Sequence, residues 1–422
     1  MKMNVEHHKE LEKYRRAFED ELFNILQYWM HYSIEEDSSG FYGAVDLSNM
    51  PVRTANKSCV LNARILWTFA AAAKAYPGKA YKDIAHLAYK VVTEDFADME
   101  EGGFYMELSS ENEVVNDIKH TYAQAFVLYS FSKYYEFSPS GALLQKIKDL
   151  FSFLDSKTKD PENIGYLESF TRCWKFYEEN RMADNNEPKS MNTHLHILEA
   201  YAAVYKVWKG ELVKKRLTEL LMIFINNIIR ESGHLGVFFS SDFQETKSSK
   251  EVCSFGHDIE ASWLIWEAAK TLGNQEILEQ VKPLITKMAD AVLRVAVDKD
   301  GGLFLESTRF GSHVRTNKHW WLQAETLVGF MNMFQLQGDP KYWETVKLSW
   351  DFIRRYVIDH QGGEWFAKVN RLGVPYLLEP PDDPSPYYRN DWKVDPWKCP
   401  YHNGRAMLEM VERIDTIIIN KK

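Results

Sequence analysis

The sequence predicts an all-α protein in which six helical hairpins close into an (α/α)6 barrel, with residues 1–422 forming one catalytic domain. Three observations predict it. Short glycine–aromatic signals recur six times at near-equal spacing. Each interval between them holds two stretches with apolar residues at helical spacing. One helix before the first signal and one after the last are left without a hairpin partner.

The signals are Gly40-Phe41-Tyr42-Gly43, Gly102-Gly103-Phe104-Tyr105, Gly165-Tyr166-Leu167, Gly233-His234-Leu235-Gly236, Gly301-Gly302-Leu303-Phe304 and Gly362-Gly363-Glu364-Trp365. From Gly40 through Gly103, Gly165, Gly233, Gly302 and Gly363 the intervals are 63, 62, 68, 69 and 61 residues. Glycine supplies the positive φ of a tight turn, and the aromatic packs the turn down. In chain order, the periodicity predicts a lone helix over 11–32, then 58–75 with 80–95, split by Pro77-Gly78. The pairs 120–136 with 142–155, 192–208 with 211–231, 257–272 with 275–297, and 319–336 with 340–359 follow, and a lone helix covers 402–419. A hairpin cannot bury its apolar face alone, so repeats stack into an open solenoid or a closed ring. The two lone helices complete one another only if the ring closes. An open superhelix is the alternative, but its repeats are nearer about 34–47 residues.

Composition narrows the function. Sixty acidic residues against 51 basic ones give a net charge of −9, which argues against binding to nucleic acid. The longest apolar stretch, 65–73, stops at Lys74, short of the roughly 20 residues of a membrane span. Residues 1–16 are charged where a secretory signal is apolar. Four scattered cysteines (Cys59, Cys173, Cys253, Cys399) read as reduced thiols. The expectation is a cytoplasmic protein. Aromatic residues form 14% of the chain, with 13 Trp and 22 Tyr. Such rings serve as core filler or as platforms for sugar rings, and only their position decides which.

The polar residues that look out of place follow the glycine signals. They are Arg64 in NARILW, Tyr122 in KHTYAQ, Asn192, His194 and His196 in MNTHLHILEAY, His257 and Glu260 in SFGHDIEASW, Trp321 and Glu325 in HWWLQAE, and Trp397, His402 and Arg405 in WKCPYHNGR. If each lies in the first turns of an inner helix, six helix N-termini converge on one mouth and favour developing negative charge there. Plainer readings stand beside this one. His257 and Glu260, three residues apart, would make an ordinary ion pair on a helix surface. His194 and His196 would be one exposed and one core histidine. His196, His257 and His402 would form a three-histidine zinc site, although HExxH is absent. No GxGxxG, GxxxxGK[ST] or GxSxG motif occurs. A two-carboxylate glycosidase suits the fold, but histidines outnumber carboxylates here, and histidine moves protons near neutral pH.

The segments NTHLHILEAY, GHDIEASWL, WWLQAE, GGEWF and WKCPYHNGRAMLEM resemble the N-acylglucosamine 2-epimerase superfamily, specifically its cellobiose 2-epimerase branch, and the resemblance runs in order along essentially the whole chain. It implies an (α/α)6 barrel that inverts C2 of a reducing aldose with no metal and no cofactor. It further implies that His257 and His402 are the two acid/base groups. Arg64, His196 and Glu260 then surround the reducing-end sugar, Tyr122, Asn192, Trp321 and Glu325 contact substrate, and Trp397 lies near the mouth. Inversion requires that the C2 proton leave one face of an enediolate and a proton return on the other. Arg64 and His196 would stabilise the enediolate, and Glu260 would fix the tautomer of His257. The expected partner is a small sugar, with no nucleic acid and no membrane, and the chain is expected as a monomer or weak homodimer. The alternatives are an aldose–ketose isomerase and a non-catalytic sugar-binding protein.

One segment departs from the branch. Between Glu364 and Trp397 lie 32 residues with Pro375, Pro380, Pro381, Pro384, Pro386 and several tyrosines. Connections of this length are usually functional. Over 376–393 it reads as a stiffened aromatic lid that narrows the mouth, which leans the substrate towards free mannose and glucose over a β-1,4-linked disaccharide.

Overall fold

The computed structural model describes residues 5–178, 186–378 and 389–420. The twelve expected helices are present: α1 (Val5–Tyr32), α2 (Cys59–Ala75), α3 (Tyr81–Glu94), α4 (Thr121–Phe137), α5 (Gly141–Thr158), α6 (Met191–Val207), α7 (Glu211–Ile223), α8 (Phe255–Leu272), α9 (Gln275–Val295), α10 (Trp320–Gln337), α11 (Pro340–Phe352) and α12 (Tyr401–Asn420). A single turn, Lys247–Lys250, is additional. The helices expected over 211–231 and 340–359 end sooner, each passing into a π-helical segment, Phe224–Ile228 and Ile353–Val357.

The even-numbered helices are the inner ones. From α2 to α10 they are buried on nearly every side, which explains why their sequences are apolar almost all round. The odd-numbered helices keep a polar outer face, as α9 does with buried Ile277, Val281, Ile285, Met288 and Val292 on one stripe. Each inner helix packs on the next around α2, α4, α6, α8, α10 and α12, and α12 returns to α2. Helix α1 packs on α12, so the two lone helices form the sixth hairpin and the (α/α)6 barrel closes.

Two devices hold the mouth, and the helical periodicity announces neither. A strand of two or three residues precedes each inner helix and pairs antiparallel with the next repeat: Lys57–Ser58 with Glu107–Leu108, Lys119–His120 with Ser169–Phe170, Lys189–Ser190 with Phe238–Phe239, Cys253–Ser254 with part of Glu306–Thr308, and Lys318–His319 with Lys368–Val369. The sixth pair joins Trp392–Val394 to Val45–Asp46 and closes the ring. The fourth residue of an inner helix then clasps the glycine turn. Gln124 bonds both backbone groups of Phe104 and Gln323 both of Leu303, while Asp258 accepts from Leu235 N–H. His194 Nε2 accepts from Tyr166 N–H at 3.0 Å, so His194 is a buried structural clasp and neither histidine of HxH is exposed. Gly165, at φ +87°, is required there, since a Cβ would meet His194 Nε2 at 2.5 Å. Buried lysines brace the same turns: Lys119 to Asp98, Lys189 to Asp160, Lys318 to Asp298 and Lys393 to Asp359.

The opposite end of the barrel is plugged by Arg413, which donates to Glu409, Glu267, Asn332 and Gln335. No helix among the described residues is long and apolar enough to cross a membrane, and all four cysteines are free. The lid reading for 376–393 rests mainly on Pro380, Pro381, Pro384, Pro386, Tyr387 and Tyr388, which lie outside the described residues. The flanks that are described belong to the rim. Tyr376 donates its hydroxyl hydrogen bond to Asn317, and Trp392–Val394 is the ring-closing strand.

Candidate active site

A cavity of about 660 Å³ opens at the mouth. Arg64, Tyr122, Asn192, His196, His257, Glu260, Trp321, Trp397 and His402 all line it. The reason is register. Counted from the first residue of each inner helix, Tyr122, Asn192, Trp321 and His402 are second, while Arg64, His196 and Glu260 are sixth, about one turn deeper on the same face. Glu325 also occupies the sixth position, yet it is not on the cavity wall as expected of a substrate contact. It is fully buried behind His402, whose Nδ1 lies 2.7 Å from Glu325 Oε1.

The three histidines share one arrangement. Each has Nδ1 bonded to the protein: His196 to Glu199 at 3.0 Å, His402 to Glu325, and His257 to Ser254 Oγ at 2.7 Å. Among the described residues none of the three has a hydrogen-bond partner at Nε2, which leaves that nitrogen for the cavity. Ser254, not Glu260, therefore holds the ring of His257. Burial, with His196 nearby, pushes His257 down to about 3. Burial likewise lowers His196, and burial with the Arg64 and Arg405 charges holds His402 well below the usual imidazole range. All three rings are therefore neutral at neutral pH. Trp321 packs near two of them, its ring centre 4.8 Å from that of His257 and 5.7 Å from that of His402.

Arg64 is held over the rings of Phe126 (4.2 Å) and Tyr401 (5.1 Å), and its Nη2 donates to Tyr122 Oη at 2.6 Å. Its Nη1 reaches the carbonyl of Trp397 at 3.4 Å, tying α2 to the segment that enters α12. The result is a buried cation on the cavity wall, beside three neutral imidazoles.

Sequence reasoning named the residue beneath all of this but gave it no role. Arg405 is 1% exposed and donates to Glu199 through Nη1, and through Nη2 to Glu260 at 2.9 Å and Glu325 at 2.7 Å. Burial works to raise the Glu199 carboxyl, but Arg405 and the bond to His196 outweigh it and hold it at about 2. Glu260 and Glu325 move the other way, raised by burial and by the carboxylate charges around them. The available signal was spacing, since Arg405 lies three residues after His402 and Glu199 three after His196. Glu306, Thr308 and Arg315, contributed by a hairpin between α9 and α10, extend the cavity outward and had no helical signal at all.

Donor atoms of Glu260, Glu325 and His402 lie within 4.8 Å of one another, the only such grouping among the described residues. Arg405 already bonds both carboxylates, so this cluster carries its own cation. His196, His257 and His402 do not converge as a zinc site would require.

Comparison with known proteins agrees with this geometry. Residues 40–388 match the family model for N-acylglucosamine 2-epimerase. The cellobiose 2-epimerase of Bacteroides fragilis is 36% identical over 390 residues, covering 92% of this chain and 95% of the relative. The structure of cellobiose 2-epimerase from Bacillus thermoamylovorans superposes with a TM-score of 0.87 at 32% identity, covering 95% of this chain and all of that one. A D-mannose isomerase from Marinomonas mediterranea is 21% identical over 65% of this chain and 70% of its own length. On the family match and the extent of that identity, the chain belongs to the N-acylglucosamine 2-epimerase family.

Proposed function

We propose that the protein is a sugar 2-epimerase that inverts C2 at the reducing end of a β-1,4-linked disaccharide of the cellobiose type. The observation that carries this reading is the pair His257 and His402, both lining one cavity and both packed near Trp321. Once the sugar ring opens, the proton on C2 is α to an aldehyde. One imidazole removes it, and negative charge develops on the enediolate oxygens. Arg64, hydrogen-bonded to Tyr122 and desolvated, supplies the opposing charge, and His196 an adjacent polar contact. The second imidazole gives its Nε2 proton to the opposite face, which inverts the centre, while a proton reaches its Nδ1 through the hydrogen bond held there, so that the ring stays neutral. Burial keeps both rings neutral at neutral pH, so each has an unprotonated nitrogen with which to take the C2 proton.

The disaccharide reading replaces the lean towards a monosaccharide. That lean depends on the segment 376–393, of which 379–388 lie outside the described residues, whereas the described wall continues outward through Ser190, Glu306, Thr308 and Arg315. The cavity volume falls in the range of about 300–1,000 Å³ typical of small-molecule sites. The likeness to cellobiose 2-epimerases along nearly the whole chain supports it. The test is to compare kcat/KM for cellobiose and mannose and to separate the products by chromatography. A higher value for cellobiose, with its C2 epimer as the main product, is expected, and a preference for mannose overturns the substrate reading. A second reading, aldose–ketose isomerisation, draws on the likeness to D-mannose isomerase, and a ketose as the dominant product would favour it. Turnover is expected to survive exhaustive treatment with EDTA, and loss of activity restored by zinc would contradict the proton-transfer scheme.

A further inference from the structure

The cluster under the cavity floor has more carboxylates than cations. Three carboxylates, Glu199 from α6, Glu260 from α8 and Glu325 from α10, surround the one guanidinium of Arg405. The groups facing it from every neighbouring helix are few. Helix α2 gives Arg64 and α4 gives the neutral Tyr122 and Tyr129. Helix α6 also gives His196, α8 gives His257 and Trp263, and α12 gives Tyr401 and His402. Glu199 takes Arg405 Nη1, the Tyr401 hydroxyl and His196, so its charge is satisfied. Glu260 and Glu325 each accept from Nη2, so both depend on the one positive charge that Glu199 already uses; Glu325 is sealed behind His402, while Glu260 is almost fully buried at the cavity wall.

We propose that Glu260 and Glu325 hold one proton between them over Arg405, and that Glu325 passes it to Nδ1 of His402 as His402 gives up its Nε2 proton. This rests on the epimerase reading of the site. When His402 protonates the enediolate, the Nε2–H bond breaks and a C2–H bond forms. In the same step the Glu325 O–H bond breaks and an Nδ1–H bond forms across the 2.7 Å contact. Glu325 ends as a carboxylate facing Arg405, and the imidazole ends neutral as its other tautomer. Removal of the C2 proton by His402 runs the same steps in reverse. His402 is never required to become an imidazolium, which its surroundings of Arg64 and Arg405 strongly disfavour. Glu325 is thus a positioning and relay group one bond from the substrate, and Glu260 sets how readily it releases its proton.

The test compares kcat against pH for the wild type, Glu325→Gln and Glu260→Gln. In Glu325→Gln the amide oxygen, in the place of Oε2, still accepts from Trp263 and the amide N–H bonds His402 Nδ1 in place of Oε1, at the loss of the Arg405 contact, but the amide cannot exchange a proton with the ring. We expect Glu325→Gln to retain its Tm within a few degrees and lose kcat by about 10²-fold or more. The wild type is expected to lose kcat on the alkaline side as the shared proton departs. Glu260→Gln removes the like charge that keeps the proton on Glu325, so this limb should move to lower pH by about one unit or more. A limb that stays in place in Glu260→Gln, or a Glu325→Gln enzyme within tenfold of wild-type kcat, overturns the proposal. A carboxylic-acid band in infrared difference spectra against pH, absent from Glu325→Gln, reads the shared proton without turnover, and its absence from the wild type would also overturn it. If the wild type places no deuterium at C2 of any sugar in deuterated water, the epimerase reading fails independently of the infrared result.

Discussion

At the scale of single residues, the site is built from neutral histidines whose roles differ by partner. His257 and His402 face the cavity, while His194, two residues from His196, clasps a backbone turn. His257→Ala and His402→Ala should each reduce kcat by about 10²-fold or more with little change in Tm, as measured by steady-state kinetics and thermal melts. His194 tests the opposite role. Its ring is buried and pushed down to about 4, first by burial. Protonation is therefore available in the unfolded chain from pH 6.5 downward but withheld in the fold until about pH 4. The unfolded state binds more protons in that window, so stability falls as pH falls through it. His194→Gln places at the fourth helical position the residue found there in α4 and α10. It should leave activity near wild type and flatten the decline of Tm between about pH 6.5 and 4. A Tm profile parallel to wild type would show that His194 does not contribute to acid sensitivity. Arg64, His196, His257, Glu260 and His402 were legible as a group because aromatic and charged residues interrupt apolar helices at matching positions. The roles of Arg405 and Glu199 were not, because their importance lies in which helices they bridge, and spacing within one helix is silent on that.

At the scale of elements, the helix starts are what place the chemistry. Inner helices begin at capped, strand-anchored points, with Ser58 and Ser190 accepting from the first-turn N–H groups of Leu61 and Thr193. Helix α8 begins instead with a close approach. A Cβ on Gly256 would lie 2.6 Å from Trp321 Cη2 and 2.7 Å from Leu322 Cβ, so only glycine lets α10 bring Trp321 this close to the start of α8 and to His257. Gly256→Ala should displace the indole and lower kcat/KM by roughly 10- to 100-fold. The expected loss of Tm is a few degrees, and unchanged kcat/KM would remove Trp321 from the account. The number and order of the helices were read correctly and most ends fall within one or two residues, since pairs of apolar stretches between glycine signals leave little freedom, but α1 begins six residues earlier than expected and α7 and α11 end seven or eight residues sooner. The short strands and the π-helical ends were not, because two paired residues carry no periodicity and a π turn differs from an α turn only in its hydrogen-bond partner.

At the scale of the whole molecule, closure makes the cavity. The first and last helices pack together, and Glu364 joins them by accepting from Trp29 Nε1, Lys398 Nζ and Asn403 Nδ2. Trp365 Nε1 returns to Glu21 at 2.7 Å. Replacing Glu364 with Ala leaves buried Lys398 without its carboxylate, a loss of about 3–5 kcal/mol. A large drop in Tm is expected, followed by both circular dichroism and tryptophan fluorescence, and a Tm within two or so degrees of wild type would mean that closure does not depend on this joint. Ring closure was inferred from two helices lacking partners, which is an argument about topology and needs no contact to be known. The outer hairpin with Glu306, Thr308 and Arg315 escaped that argument, because a connection between repeats obeys no repeat. The central claim, that two histidines move a proton on and off C2 within this closed cavity, is tested most directly by incubating the enzyme with cellobiose in deuterated water. The account predicts a C2 epimer carrying one deuterium at C2. Product without deuterium at C2, or deuterium confined to C1 of a ketose, would contradict it.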